Sequence, residues 1–333
     1  MNKRYVIGID GGGSTTECFL TDDTGTLLAH TISDGSNHQI VGIDLTVKHI
    51  CDAIDKACHQ VGITRKDLSY VYMGLAGADL EEDFILLNNA FAQVFPGDRF
   101  HIVNDTWIAF ECGTGLGWGA VSICGTGTNI AVKHPNGEVF SVRALRYTLG
   151  NYGGGNHLSV IALHHAFRCD ESTGPTTRLV EVLPQFCECE TMDELAYRIY
   201  ESNYTYHKKY NIPRLVFDLA DEGDEVCLKI IRNMGVELGT MLTGLIKKAK
   251  LESTSMPVIL SGSQYTKDKN LLLINALKEK LLEDVPHAKI HVVQCSPALG
   301  AVFGALRCID VKLSETRRRD IQQHVEELFL KKE

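Results

Sequence analysis

The 333-residue chain has no run of about 18 uninterrupted apolar residues, so no membrane-spanning helix is expected. Near its start only Val6-Ile7-Gly8-Ile9 is apolar before Asp10, too short for a signal-peptide core, and a cytoplasmic protein without a membrane partner is expected. An excess of positive charge is also missing. Lys and Arg number 33 against 42 Asp and Glu, a formal charge of −9, which disfavours a nucleic-acid partner gripped through phosphates. No Cys-x-x-Cys spacing occurs. The 11 cysteines are an odd number without a secretion signal, so most are expected to be reduced, buried small residues. Cys187-Glu188-Cys189 is the one tight pair, in what reads as an acidic, helix-like stretch.

What is present is a globular composition, 44% hydrophobic and 23% charged, at a length that suits about two domains. The opening reads as strand (Arg4 to Asp10), glycine turn (Gly11-Gly12-Gly13-Ser14-Thr15-Thr16), strand (Glu17 to Thr21), Asp22-Asp23-Thr24-Gly25 turn and a third strand from Thr26 to Ser33. A helix from Asp44 to Gln60, strands at Tyr70 to Leu75 and Phe100 to Val103, and a helix from Leu80 to Val94 follow. The opening design then recurs: strand Gly119 to Cys124, turn Gly125-Thr126-Gly127-Thr128-Asn129, strand Ile130 to Lys133 and a His134-Pro135-Asn136-Gly137 turn. From Asn156 the pattern is mostly helical until strand Pro257 to Leu260, which ends in Ser261-Gly262-Ser263. Helix 269–283, strand 290–293 and helices 298–308 and 314–330 close the chain. No Pro- or Ser-rich linker separates the halves. The expected domains are 1–106 and 107–313, with a closing helix in 314–333 that can pack back on the first.

A turn of small residues between strands presents several backbone N–H groups with no side chains in the way, a nest suited to polyphosphate oxygens. The hydroxyls of Ser14, Thr15, Thr126 and Thr128 add donors. Other phosphate-binding designs are excluded. A P-loop needs Gly-Lys, which is absent, and a Rossmann turn needs a helix where Glu17 to Thr21 reads as strand. The protein-kinase signatures are missing as well.

Residues Ile7 to Thr15 resemble the first phosphate motif of the actin/Hsp70/sugar-kinase superfamily, and Ile123 to Asn129 the second. Ile259 to Ser263 resemble its adenosine motif, and Pro297-Ala298-Leu299-Gly300-Ala301 its late connecting helix. Within it the chain is similar to the BadF/BadG/BcrA/BcrD ATPase family, and inside that to N-acetylglucosamine kinases. Gly35-Ser36-Asn37-His38 resembles their sugar loop, and Val103-Asn104-Asp105-Thr106 ends a strand where they carry a catalytic Asp.

The resemblance implies an α/β fold of two ribonuclease-H-like, actin-like ATPase domains around a nucleotide cleft. It implies transfer of the ATP γ-phosphate to a hydroxyl, O6, of N-acetylglucosamine or a related N-acetylhexosamine. Asp105 becomes the base, and Asp10 acts on Mg²⁺ directly or through water. Gly11, Gly12, Gly13, Ser14, Thr15, Gly125, Thr126, Gly127 and Thr128 would hold phosphates, and Gly262 and Ser263 the adenosine. Sugar contacts carry over to Asn37, Gly77, Asn104, Asp105, Asn129 and Asn151, and the assembly to a homodimer. Read from the residues alone, Asp105 also serves as an N-cap for a helix starting at Thr106, Asn37 as a turn residue, and Ala220 to Asp224 as a solvated acidic helix start.

One departure bears on the acceptor. The kinases carry Gly-Asp-Glu-Gly-Ser after Trp-Gly, whereas Gly150-Asn151-Tyr152-Gly153 stands here without the Trp. Trp107 and Trp118 read as core residues, and His157, His164 and His165 as helix-surface or interface residues. Two other readings remain open. One is an ATPase activator of a CoA-linked dehydratase or reductase, in which Cys124 would serve an iron–sulfur cluster. The other is a non-catalytic sugar sensor, although the cysteine-rich zinc loop and N-terminal DNA-binding module of the repressor branch are not seen.

Overall fold

The computed structural model describes residues 3–145, 147–293 and 296–330. Contacts divide the chain into two units, Met1–Gly117 with Val293–Glu333, and Trp118–Val292.

In the first unit the strands β1 (Tyr5–Gly11), β2 (Thr15–Asp22), β3 (Leu27–Asp34), β4 (Leu68–Leu75) and β5 (Phe100–Asn104) lie in the order β3-β2-β1-β4-β5. Short turns make β1 to β3 an antiparallel meander. The second turn is tied by Asp22, whose Oδ1 accepts from the N–H groups of Thr24 and Thr26 at 3.0 and 3.1 Å. The Ile43–Val61 helix then makes the crossover that a parallel strand requires, so β4 and β5 run parallel to β1. That helix ends at Gly62, left-handed at φ 73°, whose N–H reaches the Cys58 carbonyl. β1 is covered on both faces, which is why Val6, Ile7 and Ile9 are all fully buried instead of alternating.

Helix Pro297–Cys308 lies across β1 and against helix Asp105–Gly113, and its glycines permit the approach. A β-carbon on Gly300 would overlap the Ile108 carbonyl oxygen, and one on Gly8 would overlap the Val302 nitrogen. Both helices therefore lie in the first unit, although the sequence placed nearly all of them in a domain from 107 to 313. Ile321 and Val325 of helix Glu315–Leu330 are buried in the same cluster as Ala298 to Leu306.

The second unit repeats the arrangement with β6 (Gly119–Cys124), β7 (Thr128–Lys133), β8 (Val139–Ser141), β9 (Pro257–Ser261) and β10 (Lys289–Val293), in the order β8-β7-β6-β9-β10. β6 to β8 are antiparallel and β9 is parallel to β6. This ribonuclease-H-like order thus occurs twice. Helices between β8 and β9 bury the unit's apolar core, led by Glu225–Lys248, which packs on Leu272–Asp284.

Several local expectations change. Asp105 is not the cap of its helix: Asn104 is, its Oδ1 accepting from the Thr106 N–H at 3.0 Å, and Asp105 is the first helical residue. Cys187-Glu188-Cys189 forms the turn after helix Leu179–Phe186, with Glu188 left-handed at φ 57°. Asp221 ends helix Ile212–Asp221, while Asp224 is buried and caps helix Glu225–Lys248; it accepts from Cys227 N at 2.9 Å and from Thr177 Oγ1. The 269–283 helix starts instead at Leu272, because Leu271 turns left-handed before it. Trp107 and Trp118 are only half-buried. His157 is not a bare surface residue, since its Nδ1 accepts from Gly153 N at 3.0 Å and its ring packs against those of both Tyr147 and Tyr152. Among the described residues nine cysteines are free thiols, seven of them buried, and no described helix is long and apolar enough to cross a membrane.

Candidate active site

In the first unit the expected site residues gather where parallel strands end. Asp10 on β1 lies opposite Gly74 on β4, and Leu75 lies opposite Asn104 at the end of β5. The carboxyl ends of parallel strands are where loops can converge on a ligand without disturbing the sheet. After β1 the chain turns through Gly12, Gly13 and Ser14, closed by Gly12 N to Thr15 O at 2.9 Å, with Gly13, Ser14 and Thr15 exposed. Gly12 O accepts from Ser36 N at 2.9 Å, and Gly11 O accepts from Ala76 N at 2.9 Å. The turn is therefore fastened to both the Asn37 segment and the loop after β4.

Asn37 caps the short helix His38–Val41, its Oδ1 accepting from Gln39 N at 2.9 Å. Gly77 sits beside it at φ 86°, and Gln39 Nε2 donates to Gly77 O at 3.0 Å. Asn104 uses both ends of its side chain: beyond its cap, Nδ2 donates to Asp79 Oδ1 at 2.8 Å.

The acidic residues here perturb one another. Burial, then the charges of Asp105 and Glu17, push Asp10 up to about 7. Burial, then Asp79, push Asp105 up to about 6, against a lowering hydrogen bond from the Thr106 N–H. A carboxyl group with that value at a strand end is suited to take a proton near neutrality.

In the second unit the turn after β6 is closed by Gly125 N to Gly127 O at 2.9 Å and leaves Thr126 and Gly127 exposed. Neither Gly125 nor Gly127 has a heavy atom within 4 Å of where a β-carbon would stand, so the turn is open on its outer side. Thr128 is different: it is buried in β7, with its hydroxyl directed at Cys124 Sγ, 3.7 Å away. Cys124 itself is fully buried, an unexposed position for the cluster ligand of the activator reading. Asn129 is half-buried opposite Ile123. Asn151 Nδ2 donates to Thr128 O at 2.9 Å, and its buried Oδ1 has no partner among the described residues.

Gly262 follows β9 at φ 112°, where a β-carbon would come within 2.6 Å of Cys124 O. Ser263 is exposed and opens the short helix Ser263–Lys267. A cavity of about 260 Å³ is lined by Thr126, Asn156, Lys208, Lys209, Ser263 and Lys267 among others. Gln264, also at its wall, donates from Nε2 to Gly125 O at 3.2 Å, while its buried Oε1 has no partner among the described residues.

Sequence reasoning passed over three contributors. Gly153, Gly154 and Gly155 seat the second turn, with Gly155 N donating to Gly125 O at 2.8 Å and no room for a β-carbon on Gly154 against Gly127. Their signal in the sequence is a run of three glycines. Lys208, Lys209 and Lys267 carried no signal, since a lysine's place at a cavity is decided by packing. Asp79 carried no signal either, since its partner Asn104 lies 25 residues away.

The model of the BadF/BadG/BcrA/BcrD ATPase family matches residues 7–305. The N-acetyl-D-glucosamine kinase of Dictyostelium discoideum is 30% identical over 319 residues, 92% of this chain and 99% of that protein. An N-acetylmuramic acid/N-acetylglucosamine kinase of Clostridium acetobutylicum is 23% identical over 300 residues, 90% of this chain and 97% of that protein. A solved structure from Chromobacterium violaceum, provisionally assigned as an N-acetylglucosamine kinase, matches with a TM-score of 0.69 at 20% identity. The match covers 91% of this chain and 99% of that one, and at that identity the likeness shows the fold.

Proposed function

The chain belongs to the BadF/BadG/BcrA/BcrD ATPase family, and from that premise we propose that it is an ATP-dependent amino-sugar kinase. The reaction proposed is transfer of the γ-phosphate to O6 of N-acetylglucosamine or a related N-acetylhexosamine. The observation that supports it most is Asp105, a carboxyl group with a raised pKa directly after β5, in the unit that also carries the Asn37 cap. Relatives that cover the chain nearly end to end and are named as N-acetylated amino-sugar kinases support the acceptor class.

Asp105 takes the proton of the attacking hydroxyl, which needs an ionised base within hydrogen-bonding reach. Asn37 and Gly77 hold the sugar, with Asn104, Asn129 and Asn151 as further acceptor-site residues. Gly11 to Thr15 and Gly125 to Thr128 offer backbone N–H groups to the phosphates, Thr128 through its backbone because its hydroxyl points inward. Gly262 and Ser263 take the adenosine. The open turn at Gly125 and Gly127, the lysines along the cavity and the partnerless Gln264 Oε1 fit a nucleotide.

Asp10 fits a divalent cation, because Asp105 and Glu17 already crowd it with negative charge that a cation would relieve. Mg²⁺ supplies neutralisation of phosphate charge when bound. Among the described residues no three His, Cys, Asp or Glu side chains are placed to enclose a metal, so a cation held at Asp10 would draw its other ligands from water and nucleotide oxygens.

The test is ADP release from Mg-ATP with N-acetylglucosamine, N-acetylmannosamine, N-acetylmuramic acid, glucosamine, glucose or no sugar. Strong stimulation by an N-acetylated sugar supports the reading. A sugar-independent rate would move it to an ATPase activator, and sugar binding without turnover to a sensor.

A further inference from the structure

Asp79 stands on the loop between β4 and helix Glu81–Ala92, exposed, with its Oδ1 accepting from Asn104 Nδ2 at 2.8 Å. Ala78 O accepts from the same nitrogen at 3.3 Å. At its other end Asn104 Oδ1 accepts from Thr106 N at 3.0 Å. The Asn104 side chain is thus held from two sides and bridges across Asp105, the residue between its own backbone and the nitrogen it caps.

The loop carrying Asp79 is itself pinned. Asp83 Oδ2 accepts from Leu80 N at 2.8 Å and from Asp79 N at 3.2 Å, while Asp83 Oδ1 faces His38 Nε2 at 2.9 Å. His38 follows Asn37 in the chain. A connected path therefore runs from the Asn37 segment through His38, Asp83, Asp79 and Asn104 to the first turn of the Asp105–Gly113 helix.

We propose that Asp79 is a positioning residue for phosphoryl transfer: by gripping Asn104 it fixes the first turn of the Asp105–Gly113 helix and thereby the aim of the Asp105 carboxylate. This rests on the kinase reading of the site. An exposed hydrogen bond contributes little to global stability, so the grip shows in catalysis and not in the unfolding midpoint. Misplacing a reacting group by about 1 Å can cost a factor of about 100 in rate.

The test is steady-state kinetics with the sugar that best stimulates the wild-type protein. Asp79→Ala is expected to lower kcat about 100-fold while leaving the KM for ATP and the thermal midpoint unchanged. Asp79→Asn keeps an oxygen facing Asn104 Nδ2 and is expected to recover at least about tenfold of that loss. In an Asn104→Ala background, Asp79→Ala is expected to have no further effect, because the path is already cut. A wild-type kcat in Asp79→Ala, no recovery in Asp79→Asn, or losses that multiply in the double variant would each overturn the inference. Should Asp79→Ala fail to fold, Asp79→Ser takes its place with the same outcomes. A wild-type protein that turns over no sugar overturns the kinase reading, and this inference with it, before any variant is compared.

Discussion

Gly77 lies so near Asn37 that a β-carbon on it would come within 2.6 Å of the Asn37 Oδ1, at a φ of 86° that a side chain resists. The glycine lets the loop after β4 close over the asparagine. Because Gln39 N already occupies that oxygen, Nδ2 is the end of Asn37 with no partner among the described residues.

Asn37→Asp and Asn37→Ala should therefore act alike on the acceptor. Both remove the Nδ2 donor, and Asn37→Asp retains an oxygen for the Gln39 cap. The sugar KM should rise on the order of tenfold in each, the cost of about one lost hydrogen bond, with the ATP KM unchanged. Unchanged sugar kinetics in Asn37→Asp would remove that donor from the site.

Replacing the proposed base separates binding from chemistry. Asp105→Asn should bind ATP nearly as the wild type does while turnover falls by about 10² to 10⁴, the usual contribution of a positioned base. ADP release and equilibrium nucleotide binding, measured on the same preparation, check it. Retention of most activity would show that another group takes the proton.

The raised pKa of Asp105 sets a pH signature. Only the carboxylate can accept a proton, so kcat/KM should climb as pH rises through about 6. Stability runs the other way. A carboxyl group whose folded-state value lies above its unfolded one contributes stability at low pH that is lost as pH rises through the folded value. Asp105→Asn, which never ionises, should gain in thermal midpoint relative to wild type above about pH 6 and lose that gain near pH 4. Equal midpoint differences at both pH values would contradict the assignment.

Helix Pro297–Cys308 owes its place to a missing side chain. Gly300→Ala drives a β-carbon into the Ile108 carbonyl oxygen, a backbone atom that cannot swing aside. Overpacking of this kind costs about 1–3 kcal/mol, and a lowered urea midpoint with an unchanged slope is the expected result. A wild-type midpoint would mean the two helices can part at no cost.

Sequence order determined the strands, the two glycine turns and their ribonuclease-H-like repetition, because each is written in consecutive residues with a recognisable period or turn chemistry. It also placed Asp10, Asn37 and Asp105 at strand ends or turns, where side chains leave the sheet. Only the tertiary structure decided what surrounds them. Asp79 and Asn104 are 25 residues apart and meet because β4 and β5 are neighbours in the sheet. Ser36 and Gly12 meet because β3 returns beside β2, and Gly300 reaches Ile108 across almost two hundred residues. Local patterns record how a segment buries one face; they carry no record of which distant segment will cover it, and that choice falls to packing.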